Sequence, residues 1–184
     1  MVMEVAVRDS QRLIKIDHRW IERQLRKAVR RLIREAAPVG CSAVCRAGGK
    51  TPERGAESCL PEVSVLLVND RRMRHLNLRY RGLDKTTDVL SFPQTAFGPS
   101  ARGSDGPCEL RRGNLSGPFL FGDIVINLHQ AQRDADAQRI SLKREVSWLL
   151  VHGLLHLLGY DHEKGGSEER KMRRMEQRLL GGLR

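Results

Sequence analysis

Half of the histidines in this chain fall close together near its end, at a spacing that can hold a metal ion. The segment from Val151 reads V-H-G-L-L-H-L-L-G-Y-D-H, so His152, His156 and His162 follow the pattern His-x3-His-x5-His. Residues four apart on an α-helix lie about 40° apart around its axis and about 6 Å apart along it, so the first two rings point the same way. Gly159 permits the chain to reverse after the helix and to bring His162 back to the same point. The pattern predicts a metal site with these three imidazoles as ligands.

Three neutral imidazoles around zinc leave one tetrahedral position for water, which is typical of catalytic rather than structural zinc sites. Bound zinc lowers the pKa of that water to about 7 and makes hydroxide available at neutral pH. A single histidine on an apolar face is usually a core residue, but that interpretation does not account for three of six lying together. The sequence therefore predicts a zinc-dependent hydrolase with a single Zn²⁺ in each chain.

The same spacing occurs in the metzincin proteases, whose signature is H-E-x-x-H-x-x-G-x-x-H. Position 153 is glycine here, so the glutamate that acts as general base in those enzymes is missing. A metalloprotease is therefore disfavoured. The base must be the metal hydroxide, a group of the substrate, or a carboxylate from elsewhere in the chain.

The charge of the chain favours a polyanionic partner. Lys and Arg outnumber Asp and Glu by 33 to 22, which gives a net charge of +11 and a pI near 10.2. Such an excess raises the local concentration of polyanions, with nucleic acid the first candidate and an anionic membrane the second. A basic helix face contributes to it, and a solvated surface without a partner is the alternative. That face carries Arg19, Arg23, Arg26, Lys27, Arg30, Arg31 and Arg34.

Neither a leader peptide nor a membrane span is indicated. The first 15 residues contain no apolar core of a signal peptide, and the longest apolar stretch, 146–158, is too short to cross a bilayer. We expect a cytoplasmic monomer that does not associate with membranes. The cysteines at 41, 45, 59 and 108 should then be free thiols. A second metal at Cys41, Cys45 and Cys59 is an alternative, although their spacing matches no standard zinc pattern.

Hydrophobic periodicity predicts a single α/β (α+β) domain over 1–184, with a small mixed four-stranded sheet packed by helices. Loop insertions are expected near 38–61 and 94–118, which are rich in Gly, Ser, Pro and charge. Elements alternate in the order βαβαββααα, and the histidines lie on a metzincin-like metal helix capped by Ser141 and ended by Gly159. Strands are predicted at 3–7, 63–68, 88–92 and 119–127, the last interrupted at Gly122-Asp123. Helices are predicted after Asp17, from Asn69 or Asp70, at 128–138, after Ser141 and from Ser167.

Two segments upstream of the histidines carry further motifs. Residues 80–93 read Y-R-G-L-D-K-T-T-D-V-L-S-F-P, and 122–126 read G-D-I-V-I. With the histidine segment, they are similar in order and approximate spacing to three motifs of the YbeY family of bacterial metal-dependent endoribonucleases and ribosomal RNA maturation factors. The resemblance extends from about residue 63 to 180. Thr86 stands where the family has proline, and 40–60 and 98–117 are longer than the family's equivalents.

The resemblance implies an α/β domain with its metal at one end of a groove. It also implies single-strand-specific endoribonuclease activity, a role in small-subunit rRNA maturation and ribosome quality control, and the ribosomal small subunit and assembly factors as partners. It assigns catalytic importance to Arg81, whose guanidinium can hold a phosphate through two parallel hydrogen bonds. The alternative for Arg81 is a surface arginine in a charged turn. Asp161 could orient a ligand histidine or cap the turn, and neither it nor Asp123 is assigned a catalytic role.

A second hypothesis is a non-catalytic, RNA-binding ribosome-assembly factor. In that case the metal is structural and only fastens the histidine helix to the chain that follows it. The missing glutamate at position 153 gives this hypothesis its support.

Overall fold

The described residues, 4–36, 62–94, 120–160 and 166–181, form four strands and five helices in a computed structural model of the chain. The order of these elements is the predicted one. They are β1 (Glu4–Asp9), α1 (His18–Ala36), β2 (Glu62–Val68), α2 (Asp70–Arg81), β3 (Val89–Pro93), β4 (Leu120–Asn127), α3 (Leu128–Gln138), α4 (Leu142–Leu157) and α5 (Gly166–Leu180).

The strands form one mixed sheet in the order β1-β2-β4-β3. β1, β2 and β4 run parallel, and β3 pairs antiparallel with β4 at one edge. Helices connect the parallel strands and cover the sheet, as parallel pairing requires. The prediction of an α/β domain with a small mixed four-stranded sheet is confirmed for this part of the chain.

The predicted interruption of the fourth strand at Gly122-Asp123 is wrong, because β4 is continuous. The irregularity is a bulge instead: Glu62 pairs with Leu120 but Val63 pairs with Gly122. Gly122 has φ +132°, and a Cβ there would collide with the carbonyl oxygen of Phe92 on the neighbouring strand. Only glycine fits this close approach between backbones.

Each face of the sheet has its own apolar core. The larger core lies between the sheet and helices α1 and α4 and includes the buried residues Ile21, Leu25, Leu67, Ile124 and Leu150. The smaller core lies under α2, where Met73 packs against the opposite sides of β2, β3 and β4. α4 and α2 are therefore on opposite faces of the sheet.

α4 begins and ends at the residues that the sequence indicated. Ser141 is its N-cap and accepts a hydrogen bond from the Arg144 amide at 3.3 Å. Gly159, just beyond its end, has the left-handed φ of +84° expected for a helix stop. The helix is buried on most sides, so its residues have fixed positions relative to the sheet.

The four cysteines and nearly all of the two expected insertions lie outside the described residues. Among the helices that are described, none combines the length and apolar character needed to cross a membrane.

Candidate metal centre

His152 and His156 come together on α4 as their spacing predicts. Their Nε2 atoms are 3.1 Å apart, and the ring centroids are 4.6 Å apart at an interplanar angle of 74°. Two nitrogens bound to one zinc at about 2.0–2.1 Å with a tetrahedral angle would be about 3.3–3.4 Å apart. The observed separation of 3.1 Å is close to that of two nitrogens on a shared ion and is also that of a hydrogen bond between the two rings.

The other nitrogen of His152 is held by a carboxylate from α5. Nδ1 of His152 lies 2.8 Å from Oε1 of Glu176, and both side chains are only 13% exposed. A carboxylate at Nδ1 favours the tautomer with its proton there, which would leave the Nε2 lone pair available to a metal. Metal-bound histidines usually have such a partner, so this contact fits the predicted role of His152 as a metal ligand.

Sequence reasoning missed Glu176 and named Asp161 for this orienting role. Asp161 lies outside the described residues. The signal was present in the periodicity of α5, where Glu176 follows Met172 by four residues and precedes Leu179 by three. Met172 and Leu179 are buried, so an acidic residue on their stripe had to face a polar group of the neighbouring helix.

Trp148 supports the same imidazole from one helical turn before it. Its ring stacks on His152 with centroids 4.9 Å apart and an interplanar angle of 25°. Trp148, His152 and Glu176 also line a cavity of about 440 Å³ between α4 and α5. The imidazole is thus fixed by stacking on one side and by a hydrogen bond at its edge.

His162, the third predicted ligand, lies outside the described residues. Within the ranges that are described, no three histidine, cysteine or acidic side chains form a group able to hold a metal. The assignment of His162 as the third ligand, and of zinc as the ion, stays a prediction.

Position 153 faces the sheet rather than the histidine pair. A Cβ on Gly153 would lie 2.9 Å from a methyl of Ile124 and 3.2 Å from Oγ of Ser91. The hydroxyl of Ser91 also donates a hydrogen bond to the Gly153 carbonyl at 3.2 Å. A glutamate does not fit here, so α4 cannot carry the general base of a metzincin protease.

Arg81 is the last residue of α2 and is exposed. Gly82 caps the helix with φ +70°, and the following turn leads into β3, whose Ser91 contacts the backbone beside His152. β3 therefore connects the region of Arg81 to the histidine helix. The catalytic assignment of Arg81 stays a prediction.

Known proteins are similar in sequence to this chain. A family model described as Endoribonuclease YbeY matches residues 15–184. Endoribonuclease YbeY of Pelotomaculum thermopropionicum is 46% identical over 123 residues, which are 66% of this chain and 72% of the relative. Endoribonuclease YbeY of Syntrophus aciditrophicus is 33% identical over 183 residues, which are 98% of this chain and 89% of the relative.

A solved structure has the same fold. The solution structure of TM1509 from Thermotoga maritima aligns with a TM-score of 0.53 and 18% sequence identity, covering 97% of this chain and 88% of that protein. The family match itself spans three of the four strands, β2 to β4, together with the histidine helix and the α5 helix that supplies Glu176. This chain belongs to the YbeY family.

Proposed function

We propose that this chain is a single-strand-specific, zinc-dependent endoribonuclease that acts in small-subunit rRNA maturation and ribosome quality control. The observation that carries the proposal is the convergence of the two Nε2 atoms of His152 and His156 at 3.1 Å. The names of the relatives, endoribonuclease YbeY, support RNA as the substrate.

Each residue of the site has a separate task in this proposal. His152, His156 and His162 hold the ion, and Glu176 and Trp148 fix the ring of His152. When bound, zinc supplies a Lewis acid and an open position for water or a phosphoryl oxygen. Arg81 grips a phosphate of the strand and stabilises negative charge that grows on its oxygens.

The basic surface supplies the attraction for RNA. The net charge is +11, and the buried face of α1 leaves Arg19, Lys27 and Arg30 exposed on the other side. Cations on an exposed helix face contact phosphates without reading sequence. Partners in the ribosomal small subunit and among assembly factors belong to the same proposal.

The test is cleavage of labelled RNA by the purified protein. Single-stranded RNA, the matching duplex and DNA of the same sequence are compared as substrates for the wild type, His156→Ala and Arg81→Ala. Arg71→Ala is the matched control, since Arg71 is an exposed arginine at the other end of α2. We expect single-stranded RNA alone to be cut, with activity lost in His156→Ala and reduced about a hundredfold or more in Arg81→Ala.

Zinc dependence is tested on the same preparation. Metal analysis gives the ion and its stoichiometry, and removal with a chelator should abolish cleavage until zinc is restored. Equal cleavage by the wild type and both variants would indicate a contaminating nuclease and contradict the proposal.

The non-catalytic assembly factor predicts a different pattern. The carboxylate link between α4 and α5 at Glu176 is the observation that favours it, because a metal there also fastens the two helices together. In that case His156→Ala unfolds the protein by circular dichroism, while Arg81→Ala leaves RNA binding unchanged and no variant cuts RNA.

A further inference from the structure

A second cavity, of about 720 Å³, lies where α1, the start of α4 and the end of α5 meet. Both tryptophans of the chain, Trp20 and Trp148, line it. Its volume is in the range of ligand pockets, about 300–1,000 Å³. Aromatic rings are the groups on which proteins stack the bases of single-stranded nucleic acids.

The same cavity contains a buried carboxylate. Glu145 is 5% exposed and lines the cavity. Its side chain accepts no hydrogen bond and forms no ion pair with any residue that the structure describes. Burial raises the pKa of Glu145, and the nearby charges of Asp134 and Asp88 raise it further. Because Glu145 lines the cavity and its oxygens are not fully buried, its carboxylate can accept hydrogen bonds there from a ligand that donates N–H groups.

Two cations stand at the same place. Nζ of Lys143 lies 5.8 Å from the ring centroid of Trp20. Arg144 is exposed and also lines the cavity. Both belong to the first turn of α4, where the helix dipole adds to their attraction for an anion. A ligand that combines a flat ring, N–H donors and a phosphate matches all of these groups.

We infer that this cavity binds an unstacked guanine of single-stranded RNA, with its base against the tryptophans, its Watson–Crick edge on Glu145 and its phosphate at Lys143 and Arg144; the inference rests on the proposed function. Guanine presents two parallel donors, N1–H and the exocyclic amino group, which match the two oxygens of a carboxylate. Adenine, cytosine and uracil each place an acceptor beside their donor. The carboxylate therefore favours guanine over the other three bases.

The position of the cavity relates base binding to the place where the strand would be cut. Trp148 forms a wall of both cavities, and its ring stacks on His152. A guanine held against Trp148 would bring a neighbouring phosphodiester toward the candidate metal centre. Glu145 would then determine where the strand is cut, as a specificity residue without contact to the reacting atoms.

The experiment measures nucleotide binding by tryptophan fluorescence, which reports on this cavity because it holds both tryptophans. Guanosine, inosine and uridine 5′-monophosphates are titrated into the wild type, Glu145→Gln, Lys143→Ala and the matched control Glu168→Gln. Inosine lacks the 2-amino group and isolates its contribution. We expect saturable quenching by guanosine monophosphate and binding of inosine monophosphate about tenfold weaker. Glu145→Gln should weaken the binding of guanosine monophosphate by about ten- to a hundredfold and remove its preference over inosine monophosphate.

Lys143→Ala should weaken the binding of all three nucleotides by a similar factor, and Glu168→Gln should weaken the binding of none. Three outcomes would each overturn the inference: equal affinities of the wild type for the three nucleotides, an unchanged affinity of Glu145→Gln for guanosine monophosphate, or no quenching in the wild type. Mononucleotides contain no phosphodiester to cleave, so the result is independent of the nuclease assay. RNA cleavage without nucleotide binding would contradict the guanine site alone. Nucleotide binding without RNA cleavage would contradict the proposed function.

Discussion

Glu176 and His152 join the last helix of the described chain to the histidine helix. The carboxylate of Glu176 lies 2.8 Å from Nδ1 of His152, and both side chains are largely buried. The two residues are 24 positions apart in the sequence, and their contact fixes α5 to α4. The contact also determines which nitrogen of His152 faces His156.

Replacing Glu176 with glutamine should therefore weaken metal binding before it affects the fold. The amide keeps the shape but removes the charge that holds the proton on Nδ1, and loss of such a partner typically costs about 10–100-fold in metal affinity. Competition with a zinc chelator measures the change. Glu168→Gln is the control, because Glu168 pairs with Lys171 at the surface. An unchanged zinc affinity in Glu176→Gln would show that this carboxylate does not orient a ligand.

Gly153 should not tolerate alanine, although alanine normally favours a helix by about 1 kcal/mol. The new methyl would press on Ile124 and Ser91 in the contact between α4 and the sheet. Overpacking of this kind typically costs about 1–3 kcal/mol, so we expect a net loss of unfolding free energy in urea. Gly181→Ala is the control, since a Cβ there would meet only ordinary contacts. A stabilised Gly153→Ala would mean that α4 can move away from the sheet.

Much of the fold could be predicted from sequence because its helices and strands carry strong local signals. The stop at Gly159, the cap at Ser141 and the apolar stripe of α1 all depend on residues adjacent along the chain. The bulge in β4 was not predictable in this way. It lies in the pairing of β4 with β2, between Glu62 and Val63, which is a property of two paired strands.

The candidate site also has one part that could be predicted from sequence and another that could not. The convergence of His152 and His156 follows from helix geometry alone. The partner of His152 comes from another helix. The periodicity of α5 places Glu176 on its buried stripe, but no local pattern shows that this stripe will pack against His152. The cavity at Glu145 was missed for a related reason: Trp20, Glu145 and Trp148 come together only once α1 packs beside α4.

Acid should weaken the protein partly through Asp70. Bidentate hydrogen bonds from Arg133, more than any other cause, hold the pKa of Asp70 at about 2. A carboxyl with a lowered folded pKa stabilises the fold above its ordinary pKa of 3.8 and loses that contribution as pH falls toward 2. Because Asp70 is more than a third exposed, solvent screening reduces its contribution to the unfolding free energy to about 1 kcal/mol.

The comparison is urea unfolding of the wild type and Asp70→Asn at neutral pH and at a series of acid pH values. The difference should be largest at neutral pH and should shrink as pH falls through the range 4 to 2. Asp136→Asn, at an exposed position on α3, is the control. A difference that stayed constant with pH would assign the effect to lost packing.

The exposed cations of α1 should contribute to the salt dependence of RNA binding. Each phosphate neutralised on single-stranded RNA contributes about 0.7 to the slope of log affinity against log salt. Lys27→Ala with Arg30→Ala should lower that slope by about 1.4 if both cations contact phosphates. Titrations from about 50 to 200 mM salt measure it. An unchanged slope would mean that this face of α1 is only solvated.

Glu145→Gln should stabilise the protein while it weakens guanine binding. Burial holds the pKa of Glu145 above its ordinary value of 4.5, so the ionised carboxylate destabilises the folded state. That cost is absent in acid, where the group is neutral in both states, and appears as pH rises above 4.5 and through the raised folded pKa. The variant should therefore gain about 1 kcal/mol of unfolding free energy at neutral pH and nothing in acid. If urea unfolding showed a loss at neutral pH, Glu145 would be a structural residue with a partner inside the protein, and its retention would need no ligand.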